Sequence, residues 1–168
     1  GRGGRGGRGP VRGRPARRRR GGPAGVTAAQ PVHATAVAQW APGVGWRAIL
    51  VSGRSGAGKS DLALRLMGRG WRLVADDYVH VFASGDALYA AAPATIAGRL
   101  EARGVGVIGA SSLGVVRLVM AVELTEMVVE RLPGPETRTL AGRALPVLRL
   151  AGFEASAVEK VAAGMAAL

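Results

Sequence analysis

The stretch Ala48-Ile49-Leu50-Val51-Ser52-Gly53-Arg54-Ser55-Gly56-Ala57-Gly58-Lys59-Ser60-Asp61-Leu62-Ala63-Leu64 decides the fold. Residues 53–60 match the phosphate-loop pattern G-x-x-x-x-G-K-[ST] without a gap. An apolar run precedes them, and Asp61–Met67 reads as a helix, so the motif sits in the strand–loop–helix setting that a working phosphate loop requires. The candidate phosphate ligands are therefore Gly53, Arg54, Ser55, Gly56, Ala57, Gly58, Lys59 and Ser60. Glycines let the backbone N–H groups turn inward around phosphate oxygens, and the helix N-terminus adds partial positive charge. Lys59 is placed for the β- and γ-phosphates and Ser60 for Mg²⁺. The plain alternative is a glycine-rich turn in a chain with 27 glycines; against it, the chain has only two lysines, Lys59 and Lys160, and one of them falls on the motif.

At 168 residues the length suits one compact domain with a hydrophobic core. No uninterrupted apolar run approaches the ~18 residues of a membrane span, and no secretory h-region stands near the start. The absence of cysteine excludes disulfides and thiolate metal sites and fits a cytoplasmic setting. The formal charge of +12 is concentrated: nine arginines fall within residues 1–22, which leaves 14 basic against 11 acidic residues beyond them. That Arg/Gly-rich segment is low in complexity and, with the Pro/Ala/Gly linker after it, reads as a disordered tail over 1–31. It could neutralise nucleic-acid phosphates. No aromatic residue precedes Trp40, however, so base stacking has no platform and specific nucleic-acid recognition is not expected. With no initiator Met, the tail also reads as a reading-frame extension.

The ordered region, 32–168, alternates short apolar runs with turn signals. Strands are expected on either side of the 42–45 turn, over 71–75, around 79–81, over 87–90, 105–108 and 115–124, and as a hairpin within 138–150. Residues 93–100 suggest a turn with a brief helix, and 153–168 have helical spacing at Val158, Val161, Ala162 and Met165. The fold class is α/β: a strand-rich mixed sheet with a P-loop helix and a C-terminal helix, poorer in helices than an ordinary doubly wound domain.

Further candidates for chemistry lie along this framework. Asp76-Asp77 closes an apolar strand, where α/β folds place ligand-contacting side chains. Adjacent residues at a strand end point to opposite sides, so one carboxylate can address a metal while the other faces another group. A solvated Asp-Asp turn is the plain alternative. Glu101 and Arg103, two apart before a glycine-rich turn, share a face if that segment is a strand. They could supply a metal-directed carboxylate and a phosphate-directed guanidinium, or merely a surface ion pair. His33 alone reads as a structural histidine, and Arg131 as an exposed loop arginine.

Taken together, His33-Ala34-Thr35, Gly53–Ser60, Leu73-Val74-Ala75-Asp76-Asp77, Leu100-Glu101-Ala102-Arg103-Gly104-Val105-Gly106 and Glu130-Arg131-Leu132 resemble the catalytic domain of HPr kinase/phosphorylase over about 32–168. The resemblance implies a fold similar to the nucleotide domain of phosphoenolpyruvate carboxykinase, often assembled as hexamers. It implies an ATP- and Mg²⁺-dependent protein-serine kinase acting on HPr, the phosphocarrier of the sugar phosphotransferase system. It further implies that Asp77 acts as base, which leaves Asp76 with Ser60 for the metal, that Glu101 contributes to the same ion, and that His33 and Arg131 lie in the active site with the motif's Lys59. Three departures stand out. No N-terminal regulatory-type domain is present, as in short proteobacterial forms, and the segment between His33 and the P-loop is expanded. Leu150-Ala151-Gly152-Phe153 also replaces a Pro-Gly-Arg loop tied to dephosphorylation, so the kinase direction is expected rather than the phosphorylase. The other readings are a non-catalytic nucleotide sensor and an RNA-associated protein acting through the tail.

Overall fold

A computed structural model of the protein describes residues 25–168. The tail reading over residues 1–24 lies outside the described residues. Eleven strands and two helices follow in chain order: β1 (Gln30–His33), β2 (Thr35–Ala41), β3 (Gly45–Ser52), α1 (Lys59–Met67), β4 (Arg72–Ala75), β5 (Tyr78–Ser84), β6 (Ala87–Ala91), β7 (Arg99–Ala102), β8 (Gly106–Gly109), β9 (Val116–Leu124), β10 (Glu136–Leu140), β11 (Arg143–Leu150) and α2 (Ala157–Ala166).

Nine strands form one mixed sheet: seven follow the order β1-β5-β6-β9-β3-β2-β4, and β11 with β10 joins through β9. Strand β9 is the spine. It runs parallel to β3 along one edge. Along the other edge, its first residues pair antiparallel with β6 and its last with β11, in parallel. Splitting one edge between two partners forces the sheet to curl, with β10 attached outside β11. Strands β7 and β8 form a separate two-stranded ribbon.

The period of two in the central strand divides the core into two compartments. Ile49 and Val51 of β3 face Leu62 and Leu66 of α1 and Val161 and Met165 of α2. Ala48 and Leu50 face Val79 and Val81 of β5, Leu88 of β6 and Leu145 of β11, which the curl brings over them. A strand buried on both faces needs an uninterrupted apolar run, which Ala48–Val51 supplies.

The structure corrects three expectations of detail. The linker ends earlier than residue 32, because β1 begins at Gln30 and pairs with β5. Pro31 is tolerated there because β1 lies at the sheet edge. No helix forms over 93–100; two successive turns carry hydrogen bonds from Ile96 N–H to the Pro93 carbonyl (3.1 Å) and from Arg99 N–H to the Ile96 carbonyl (3.2 Å). The last helix begins at Ala157 rather than Phe153, with turns over the residues between.

Leu66 is fully buried where α1 meets the sheet and α2. Leu66→Ala should cost about 2–5 kcal/mol through lost transfer energy and a residual cavity. Urea denaturation should show this as a lower midpoint with little change in slope.

Candidate functional site

The phosphate loop is held open by its own backbone and by two neighbouring segments. Gly56 and Gly58 adopt φ of 82° and 95°, the left-handed region that glycine occupies without penalty. Gly58 also serves as the N-cap of α1. The Lys59 ammonium donates to the carbonyls of Gly53 (3.0 Å) and Arg54 (3.2 Å), so it spans the loop. The segment after β11 seats directly on it: a Cβ at Gly152 would overlap the Ala57 carbonyl oxygen, and one at Gly58 would touch the Phe153 ring at 3.0 Å.

Sheet order then brings the carboxylates beside the loop. Strand β2 lies between β3 and β4, so the end of β4 emerges next to the P-loop strand's own end. Asp76 follows β4 and is buried. Its carboxylate accepts hydrogen bonds from Thr35 Oγ1 (2.6 Å), from Ser60 Oγ (3.1 and 3.3 Å) and from the backbone N–H of Glu101 (3.0 Å). An ionised carboxylate only accepts, so the Ser60 proton points at Asp76 and the hydroxyl's lone pairs are free for another group.

Asp77 turns the other way. Its φ is 67°, and the N–H of Tyr78 bonds the Asp76 carbonyl at 2.9 Å. That i→i+2 bond across a positive-φ centre is a γ-turn of the rarer hand, a conformation of some strain. The turn leaves the Asp77 side chain 68% exposed, with an oxygen 3.2 Å from His33 Nε2. His33 arrives because β1 pairs with β5, which sets His33 opposite Tyr78. Ala34 N–H fixes the crossing by bonding the Asp77 carbonyl at 3.2 Å.

A cleft of about 390 Å³ collects these groups: His33, Ser55, Gly56, Gly58, Lys59, Ser60, Asp76, Asp77, Glu101 and Arg103 all line it. The structure thus brings together most of the residues singled out from sequence. Glu101 and Arg103 do not share a strand face, since β7 ends at Ala102 and Arg103 enters the following turn. They form no ion pair with each other, because the turn redirects the second side chain; both stand at the cleft rim. Arg54 and Ala57 line a second cavity on the other side of the loop. Arg131 lies exposed in the segment between β9 and β10 and does not line the cleft. Thr35 and Phe153 were not picked out as site residues. A threonine opening the otherwise apolar Thr35-Ala36-Val37-Ala38, and one of only two phenylalanines directly after Gly152, were the available signals.

The donor set suits a hard cation. Ser60 offers free lone pairs, Asp76 a carboxylate and Glu101 a second carboxylate at the rim, all oxygen ligands of the kind Mg²⁺ takes. Among the described residues, no three His, Asp or Glu side chains already converge as a metal cluster. Such an ion would therefore need water and phosphate oxygens to complete its shell, which is the usual Mg²⁺ pattern.

On the second cavity, Arg54 and Glu126 make an exposed ion pair. The Arg54 hydrogen bond, and then its charge, hold the Glu126 carboxyl below the usual range. The same two causes raise Arg54.

A phosphate-loop motif at the end of a strand in a curled, mixed sheet defines the class: an α/β P-loop domain with few helices. The sequence profile described as HPr Serine kinase C-terminal domain matches residues 27–138, and the chain belongs to that family. Curated relatives include the HPr kinase/phosphorylase of Levilactobacillus brevis, 42% identical over 85 residues, which are 50% of this chain and 26% of that protein. The HPr kinase/phosphorylase of Bacillus licheniformis is 46% identical over 88 residues, covering 46% of this chain and 28% of the relative. That of an Exiguobacterium species is 48% identical over 66 residues, or 39% and 21%. The matched stretch thus spans about a quarter of the length of these relatives. Among solved structures, the HPr(Ser) kinase/phosphatase from Coxiella burnetii superposes with a TM-score of 0.69, covering 82% of this chain and 96% of that one. At 19% identity this shows the shared fold. Among the described residues, no helix is long and apolar enough to cross a membrane.

Two measurements test the site's electrostatics. Thr35→Val keeps shape but deletes a buried donor to Asp76, and should cost about 2 kcal/mol in denaturant titrations, as bonds to charged groups do. The Glu126 carboxyl should titrate low in wild type and return to the ordinary range in Arg54→Met, followed by carboxyl-carbon NMR. Because its folded value is the depressed one, the pair's small contribution is present above the unfolded carboxylate pKa. It is lost as pH falls through the folded value.

Proposed function

We propose that this domain is an ATP-dependent protein-serine kinase acting on the phosphocarrier protein HPr in the cytoplasm. One observation carries the reading: Asp77 is held out on a γ-turn beside His33, in the same cleft as Lys59 and Ser60. A nucleotide sensor needs the loop and a metal carboxylate, whereas a second exposed carboxylate at the phosphate end serves a reacting group. The family membership supports the substrate.

In this reading the loop amides and Lys59 hold the β- and γ-phosphates, exchanging the Gly53 and Arg54 carbonyls for phosphate oxygens. Mg²⁺, held by Ser60 with Asp76 and Glu101, supplies charge neutralisation at the phosphates. The acceptor serine enters beside Asp77. Its oxygen forms the new bond to the γ-phosphorus, the bond to the bridging oxygen breaks, and ADP leaves. The serine proton passes to the Asp77 carboxylate, which His33 orients at 3.2 Å. Arg103, which forms no ion pair among the described residues, is placed at the rim to meet phosphate oxygens as charge redistributes.

The assay is transfer of label from ATP to purified HPr with Mg²⁺, with phosphoserine as the product. Lys59→Ala should abolish transfer, and Asp77→Asn should lower it about 10²–10⁴-fold while ATP affinity stays near wild type. No phosphoserine from the wild-type protein overturns the proposal, and a silent Asp77→Asn beside a crippled Asp76→Asn would reverse the two carboxylates' roles.

A further inference from the structure

Phe153 is a large aromatic residue left 68% exposed, in a chain with two phenylalanines. An isolated exposed apolar residue needs no explanation. This one is built into place. Its ring packs on Gly58 of the phosphate loop, 3.0 Å from where a Cβ would stand. The Arg65 guanidinium donates to the carbonyls on both sides of it, Gly152 and Glu154 (3.4 Å for the latter), and is itself fixed by Asp61 at 3.0 Å. Gly152 sits so close to the Ala57 carbonyl that no side chain fits between. The backbone is thus clamped before and after the ring, while the ring itself faces solvent. It lines both the main cleft and the neighbouring cavity.

Sheet order gives the ring a direction. Asp76 and Asp77 follow β4, on the β2 side of the P-loop strand; Phe153 follows β11, beyond β9 on the other side. If the γ-phosphate lies toward Asp77, as the proposed function requires, the nucleoside end of the triphosphate leaves the loop toward β9 and β11. The exposed apolar side chains lining the cavity there are Phe153 and Met127.

The geometry points to Phe153 as the platform on which the nucleobase stacks, a base-binding residue for the nucleotide already assigned to the loop. The inference rests on that nucleotide reading. A ring face accepts any base, so Phe153 contributes affinity for the nucleoside and none for the phosphates.

The test compares ATP with inorganic tripolyphosphate, each titrated calorimetrically with Mg²⁺ into the full chain. Phe153→Ala should weaken ATP roughly ten-fold, the scale of one base–aromatic stack, and change tripolyphosphate by less than about two-fold. Phe153→Trp should retain ATP affinity and show fluorescence quenching on ATP but not on tripolyphosphate. Equal weakening of both ligands by Phe153→Ala would make the ring a structural support of the loop and overturn the assignment, as would unchanged ATP binding. Lys59→Ala separates the two levels: if neither ligand depends on Lys59, the nucleotide reading itself falls, and the stacking assignment with it.

Discussion

The arrangement depends on one buried carboxylate. Asp76 accepts from Thr35 on β2, from Ser60 on α1 and from the backbone of Glu101 on β7, three elements that the chain visits far apart. A carboxylate excluded from water is costly unless its oxygens are hydrogen-bonded, so the fold gains by bringing donors to it from every side. Each bond also has a geometric consequence. Thr35 fixes the edge of β2 against the end of β4, Ser60 fixes the rotation of the first turn of α1, and Glu101 pulls the β7–β8 ribbon onto the cleft rim. The ribbon is not part of the large sheet. Its attachment rests on that backbone bond, on the buried Leu100 and, just past β8, on the hydrogen bond from Leu113 N–H to the Leu73 carbonyl of β4 (2.8 Å).

From this anchor the two aspartates acquire opposite roles without any difference in residue type. The chain reverses at Asp77 in a three-residue turn, so Asp76 faces inward to structural donors and Asp77 outward to His33 and solvent. Strain at Asp77 is tolerated because both flanks are fixed: Asp76 by its buried bonds, Tyr78 by the β1–β5 pairing. A positive φ at a non-glycine residue, at the mouth of a cleft, is where backbone strain and function commonly coincide.

Much of this was legible in the sequence because the signals were local. The apolar Ala48–Val51 followed by Gly53–Ser60 gives strand, loop and helix from adjacent residues, and α1 falls over Lys59–Met67 as the pattern requires. Ten of the residues singled out for chemistry line one cleft. What the sequence did not disclose were contacts set by pairing across distance. His33 alone reads as a structural residue, and only the β1–β5 register places it against Asp77. Thr35 is one polar group on a buried strand, meaningful only once Asp76 is known to lie beneath it. Arg131 illustrates the converse: the resemblance gave it a role in the site, while the long connection from β9 to β10 leaves it exposed, away from the cleft lining.

The groups proposed to bind and those proposed to react sit on differently supported stretches of backbone. The phosphate loop is clamped from the β11 side by the backbone at Gly152 and by Arg65, and from the β4 side by Asp76 through Ser60. Support from both sides fixes the loop before any anion arrives, so little ordering cost falls on binding. Asp77 and Arg103 lie outside that clamp, on turns at the rim, where a second macromolecule can reach them. For the proposed transfer to a folded protein, this division provides a pre-formed floor for the small, highly charged donor, and exposed groups on turns for an acceptor too large to enter. In the proposed mechanism, the 68% exposure of Asp77 leaves its carboxylate within reach of a serine on another protein.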